Sequence, residues 1–184
     1  TYERAEKLGT TGFDYELANL QGMRGDFEGM VDAYMALLST KPNYLRTVQN
    51  SLNRNLRLTT IEDNRELVRV SLLRAIQKYP DNTVFPELLV WHFNQIRDFT
   101  SSVVHAKALD LRLDEQGVRL MELGNTAQAN GDTDTALECY RYVASMGPRN
   151  PYYFTARNEV LQVRFEVLTA EVPADLDAMA VLAE

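Results

Sequence analysis

The chain has 184 residues, 45% of them hydrophobic, which is enough for a buried core, and its formal net charge is −7. This acidic balance argues against a nucleic-acid partner, because a phosphate-binding surface needs clustered Lys and Arg. The single cysteine, Cys139, excludes an internal disulfide framework and a cysteine-rich zinc site, and no apolar run approaches the length of a membrane helix.

The first ten residues have the spacing of a second helix whose first helix is missing. Tyr2-x-x-Ala5 has the same spacing as Tyr140-x-x-Val143, which belongs to a helical hairpin later in the chain. Residues 1–10 are therefore predicted to be a partial repeat. We expect the chain to be a piece of a longer array of such repeats.

A complete two-helix repeat is predicted over residues 11–44. Gly25 suits the left-handed end of a first helix, and Asp26 can cap the helix that follows. Tyr34 is large enough to fill the space between the two helices, and Pro42 ends the second one.

The next repeat, residues 45–82, is less regular. Its first helix is predicted from the apolar stripe Leu45, Val48, Leu52 and Leu56. A loop is predicted over residues 59–64. Pro42 and Pro80 are 38 residues apart, whereas Pro80 and Pro148 are 68 apart, or twice 34. The extra four residues predict an insertion in the turn between the two helices of this repeat.

Two further repeats are predicted over 83–116 and 117–150, because the turn residues Asp98 and Asp132 are 34 residues apart. Asp132 is expected to cap the second helix of its hairpin. The second of these two repeats has the clearest pattern. Its stripe, turn and closing residues are Leu120, Leu123, Gly124, Ala127, Gly131, Asp132, Ala136, Tyr140 and Pro148.

Residues 151–184 are predicted to form an irregular last repeat. A helix is expected from Asn150-Pro151 to about Ala170, and its inner stripe is Tyr153, Ala156, Val160 and Val163. Pro173 would end that helix, and Ala174–Glu184 would begin its partner.

The pattern of residues 120–148 resembles the tetratricopeptide repeat (TPR), with Leu120 in place of the usual Trp and Ala127 in place of the usual Tyr. The resemblance implies an all-α fold, a right-handed α-α superhelix in which antiparallel helix hairpins form one TPR-like solenoid over residues 1–184. Overall the chain is similar to a segment of a long bacterial TPR protein. This resemblance favours a periplasmic or outer-membrane-associated location over the cytoplasm.

No residue pattern in the chain predicts catalysis, a metal site or a cofactor. Cys139 lies on a predicted helix without a nearby catalytic motif, and His92 and His105 have no metal-ligand spacing around them. Packing is the simpler interpretation of all three side chains.

In TPR arrays the first helix of each hairpin lines a concave groove that commonly binds peptides. The resemblance therefore implies a non-catalytic scaffold for a protein or peptide partner. The groove residues would be Arg46, Gln49, Asn50, Asn53, Arg57, Glu87, Trp91, Asn94, Glu122, Asn125 and Gln128. Asn and Gln can pair with a peptide backbone, and Arg can hold a carboxylate.

Two alternatives remain open: a merely solvated face with Trp91 packed inward, and a helical accessory region of a larger enzyme or envelope-assembly protein.

Overall fold

The structure, a computed structural model, describes residues 13–171, apart from the side chains of Leu168, Ala170 and Glu171. Within these residues the protein is all-α, with nine α-helices, one short 3₁₀ helix and no strand. The all-α prediction is confirmed. The predicted partial repeat at residues 1–10 and the predicted helix at 174–184 lie outside the described residues.

In chain order the elements are α1 (Asp14–Met23), α2 (Phe27–Thr40), the 3₁₀ helix (Pro42–Tyr44), α3 (Leu45–Leu56), α4 (Glu62–Lys78), α5 (Val84–Gln95), α6 (Phe99–Leu113), α7 (Val118–Ala129), α8 (Thr133–Ser145) and α9 (Tyr153–Glu171). The chain divides into two compact units. Unit 1 ends at Leu109 and unit 2 begins at Asp110, so the division falls inside α6.

Three helix–helix turns share one geometry, and each is built around an aspartate. Asp26, Asp98 and Asp132 each accept a hydrogen bond from the backbone N–H three residues later, at 2.9, 3.1 and 3.0 Å. The backbone N–H of each aspartate donates to the carbonyl five residues earlier, at 3.0, 2.9 and 3.0 Å. Each aspartate therefore ends one helix and caps the next, as the sequence predicts.

The residue before each of these aspartates has a positive φ, and one of the three is not glycine. Gly25 and Gly131 have φ of 81° and 80°, whereas Arg97 has φ of 59°. This left-handed conformation costs a residue with a Cβ about 1–2 kcal/mol, and glycine avoids that cost while losing more chain entropy on folding.

We therefore expect Arg97→Gly to stabilise the protein by roughly 0.5–1 kcal/mol. Guanidinium unfolding followed by the fluorescence of Trp91, the only tryptophan in the chain, would measure the change. Arg97→Ala is the control, because it removes the charge and keeps the strained φ. An equal gain from both variants would assign the effect to charge and contradict the strain argument.

The irregular repeat differs from the prediction in where its extra residues lie. The turn between α3 and α4 has five residues, 57–61, and α4 begins at Glu62, so the predicted loop over 59–64 is wrong in its second half. Glu62 and Asp63 favour this earlier start because negative charge is stabilising in the first turn of a helix. At 17 residues, α4 is also longer than α2, which has 14, so turn and helix share the insertion.

In unit 2 the residues of the predicted apolar stripes are buried or half-buried. Leu120, Leu123, Ala127, Ala136 and Tyr140 are buried between α7 and α8. On α9, Ala156 and Val163 are fully buried, and Tyr153 and Val160 are half-buried. Four large apolar side chains of the same helix are exposed among the described residues: Phe154, Leu161, Phe165 and Val167. These burials fit the helical periodicity of the sequence.

Candidate functional site

Helix α3 carries four of the predicted groove residues and the turn after it carries a fifth, and the buried stripe of the helix decides which way they face. Val48, Leu52 and Leu56 are fully buried in unit 1, which turns the opposite side of the helix outward. On α3 and in the turn after it, Arg46, Asn50, Asn53 and Arg57 are exposed, and Gln49 is half-buried. Among residues 13–109, helix α3 thus presents a polar surface that is largely exposed.

Helix α5 carries three predicted groove residues, Glu87, Trp91 and Asn94, all of them half-buried. Trp91 packs against the core of unit 1, so only part of its ring is available to a partner. The Oδ1 of Asn94 accepts a hydrogen bond from the Ser102 hydroxyl at 2.6 Å, which engages its side chain inside unit 1.

One hydrogen bond joins the polar sides of α3 and α5. The Nδ2 of Asn53 donates to the Oε1 of Gln95 at 2.8 Å. Asn53 is exposed and Gln95 is half-buried, so this amide pair lies at the surface of unit 1. The structure therefore joins a predicted groove residue of α3 to Gln95 of α5, which was not predicted. We call the neighbouring exposed or half-buried side chains of the two helices the α3–α5 face: Arg46, Asn50, Asn53, Arg57, Trp91 and Gln95.

In unit 2 the predicted residues Asn125 and Gln128 on α7 meet at the hydroxyl of Tyr140. The hydroxyl oxygen lies 2.8 Å from Oδ1 of Asn125 and 2.9 Å from Oε1 of Gln128. Gln128 also donates to Glu166 on α9 at 3.3 Å. Burial of the ring raises the pKa of Tyr140 to about 12, and the nearby Glu159 and Glu166 act in the same direction. Both amides therefore support the hairpin as well as facing solvent, whereas Glu122 is exposed and has no such contact.

Unit 1 contains the same hydrogen bond between a tyrosine hydroxyl and an asparagine side chain, and this pair was not predicted from the sequence. The buried Tyr34 hydroxyl donates to Oδ1 of Asn19 at 2.9 Å, again across 15 residues. Burial raises the pKa of Tyr34 as well. Asn19 and Tyr34 precede Asn125 and Tyr140 by the same number of positions. Aligning the two predicted turns would have revealed the pair.

The three side chains that were weighed for chemistry are buried or half-buried. Cys139 is fully buried in unit 2. His92 is fully buried in unit 1, and neither of its ring nitrogens has a hydrogen-bond partner among the described residues. Loss of hydration, together with the nearby Arg69, lowers the pKa of His92 to about 4. His105 is half-buried and stacks on Phe93 with ring centroids 5.5 Å apart, and burial lowers its pKa too.

A buried carboxylate outside the predicted groove forms hydrogen bonds to two other segments of unit 2. Asp110 is 3% exposed and accepts hydrogen bonds from the Gly117 backbone N–H at 2.6 Å and the Tyr142 hydroxyl at 3.0 Å. Burial and this bond raise the pKa of Tyr142 to about 12. Both contacts fix the turn before α7 against α8, which is a structural role.

Over residues 13–171, no three His, Cys, Asp or Glu side chains are grouped closely enough to hold a metal ion. No helix in that range combines the length and the apolar character needed to cross a membrane. Comparison with protein-family models, curated proteins and solved structures gave no match.

Proposed function

We propose that this chain is a non-catalytic scaffold of the TPR type, which binds a peptide or protein partner on the exposed sides of its first helices. Three repeated observations support the repeat assignment: the aspartate-capped turns, the positive φ before each aspartate, and the Tyr–Asn bond in two hairpins. Stacked hairpins of this kind form the extended concave surfaces of solenoid proteins.

The observation that carries the binding proposal is the charge of α3. Together with the turn residue after it, this helix has Arg46, Arg54 and Arg57 and no acidic residue, in a chain whose net charge is −7. None of these arginines forms an ion pair with the residues that the structure describes. Unpaired guanidinium groups on an acidic protein attract carboxylates, so we expect an acidic segment as the partner.

The spacing on α3 suits an extended segment. Arg46, Asn50, Asn53 and Arg57 recur at intervals of four, three and four residues, which places them along one side of the helix. The amide pair of Asn53 and Gln95 offers donors and acceptors that can exchange their mutual bond for bonds to a peptide backbone. The exposed part of Trp91 adds apolar contact area on α5.

An array of short immobilised peptides with graded acidic content would test this proposal. We expect retention of the protein to rise with the number of acidic residues. The variant Arg46→Glu/Arg57→Glu should weaken binding about tenfold or more, because like charges replace opposite ones. Raising the salt concentration should weaken the wild type in the same direction.

The matched control is Arg112→Glu/Arg141→Glu, which changes the net charge equally but alters exposed arginines on α6 and α8, the second helices of their hairpins. The control should keep wild-type binding. If both double variants lose binding equally, the effect is one of net charge and the α3–α5 face is not the site. Retention of no peptide at all would contradict the proposal directly.

A further inference from the structure

A cleft of about 330 Å³ opens in unit 1 between α2 and α4, which are second helices of consecutive hairpins. It exists because small residues face each other there, with Ala36 on α2 and Ser71 and Ala75 on α4. Met35 contributes an apolar surface to the cleft and Tyr79 an aromatic one. The cleft is at the small end of the range in which proteins bind small molecules.

Ser71 points to a polar ligand group in this cleft. The residue is only 5% exposed, and it lines the cavity. Its hydroxyl has no hydrogen bond with any of the residues that the structure describes, whereas other helical hydroxyls such as Thr126 bond to the backbone. The Ser71 oxygen is nevertheless open to the cleft, since it is not one of the fully buried polar atoms, and a ligand acceptor there could replace the water that the hydroxyl would otherwise bind.

The charges around the cleft indicate the sign of that ligand. Arg74 and Lys78 follow Ser71 on α4 by three and seven residues, and all three line the same cavity. Neither cation forms an ion pair within the described part of the chain, although Lys78 lies 5.2 Å from the centroid of the Tyr79 ring. Asp32 on α2 contributes one opposing charge, so the lining keeps a net charge of +1.

We infer that this cleft binds a small monocarboxylate with a short apolar body. The carboxylate would accept hydrogen bonds from the Ser71 hydroxyl and pair with Arg74 and Lys78. The apolar body would lie against Met35, Ala75 and the Tyr79 ring. This site is distinct from the proposed peptide surface, because it is formed by α2 and α4 and contains no residue of the α3–α5 face.

Titration with benzoate, followed by NMR of the Ala36 and Ala75 methyl groups, tests the inference. We expect saturable shifts of both methyls. Benzamide, which is neutral and nearly isosteric, should bind about tenfold more weakly, because it loses the ionic pairing. Arg74→Gln/Lys78→Gln should weaken benzoate binding by a similar factor, and Asp32→Asn should strengthen it.

Ala36→Leu tests the cavity itself. Ala36 is exposed on a helix, so the variant keeps the fold while its larger side chain occupies the cleft, and benzoate binding should disappear. Ala108→Leu, at an exposed position of α6, is the control and should leave binding unchanged. The inference is overturned if benzoate produces no saturable shift, if benzamide binds equally well, or if Ala36→Leu binds as the wild type does.

Discussion

The stability of unit 1 is expected to fall by about 2 kcal/mol between neutral pH and pH 5 because of one side chain, His92. Its folded pKa is about 4, whereas the ordinary pKa of a histidine is 6.5. The unfolded chain therefore binds a proton in this interval that the folded chain does not, and acid favours unfolding. The contribution is fully present above pH 6.5 and is lost as the pH falls toward 4.

The physical reason is that burial removes most of the hydration that an imidazolium at this position would need, and this loss outweighs the favourable effects of the Arg65 backbone and Asp98. His92 is fully buried, both of its nitrogens lack partners among the described residues, and the nearby positive Arg69 opposes a second positive charge. Denaturant unfolding at a series of pH values, followed by Trp91 fluorescence, would measure the slope. Trp91 is adjacent to His92 in the sequence and packs on the same core.

Two variants separate His92 from the other groups that titrate in acid. His92→Phe removes the proton site but keeps a ring, so its free energy of unfolding should change less between pH 7.5 and 5 than that of the wild type, by about 2 kcal/mol. His105→Gln is the control, since His105 is only half-buried and should contribute less. An unchanged pH profile in His92→Phe would show that His92 is hydrated or paired in solution.

Gly124→Ala is expected to destabilise unit 2 by about 1–2 kcal/mol, although alanine is the better helix former. An added Cβ would lie 2.6 Å from Cε1 of Tyr140. The ring cannot move aside easily, because it is fully buried and its hydroxyl is held near Asn125 and Gln128. Guanidinium unfolding, with amide exchange of α7 and α8 as a local readout, would measure the loss.

Gly22→Ala is the matched comparison within the same protein. Its Cβ would lie 2.5 Å from the sulfur of Met30, at the end of a flexible side chain that can rotate away. The gain in helix propensity should then dominate, and we expect Gly22→Ala to be neutral or stabilising by up to about 1 kcal/mol. If both alanines have the same effect, the contact with Tyr140 does not limit the approach of α7 and α8.

Features that depend on neighbouring residues in the chain could be predicted well. Asp26 and Asp132 cap their helices as expected, because a cap is decided within one helical turn. The apolar stripes of α3 and α7 are buried as predicted for the same reason. Helix α4 begins earlier than predicted, and its N-cap position is Ile61, whose apolar side chain cannot cap a helix and so gives no sequence signal for the start.

Features that depend on how two helices face each other could not be predicted. The resemblance to TPR arrays implied one surface for Asn53 and Asn94, but it could not tell that one bonds to Gln95 and the other to Ser102. The cleft beside Ser71 exists only because α2 packs against α4 with small residues in register. Similarly, the two ring nitrogens of His92 lack hydrogen-bond partners among the described residues. This depends on how several helices pack around the ring, which no local pattern predicts.

The burial of Cys139 has a practical consequence. It is the only thiol in the chain, and a fully buried thiol reacts with an aromatic disulfide reagent only after the surrounding hairpin opens. The labelling rate at low denaturant would therefore report opening of α7 and α8, while Trp91 emission reports unit 1. Two native probes, one per unit, let a single unmutated sample reveal whether both halves melt in one step or in succession.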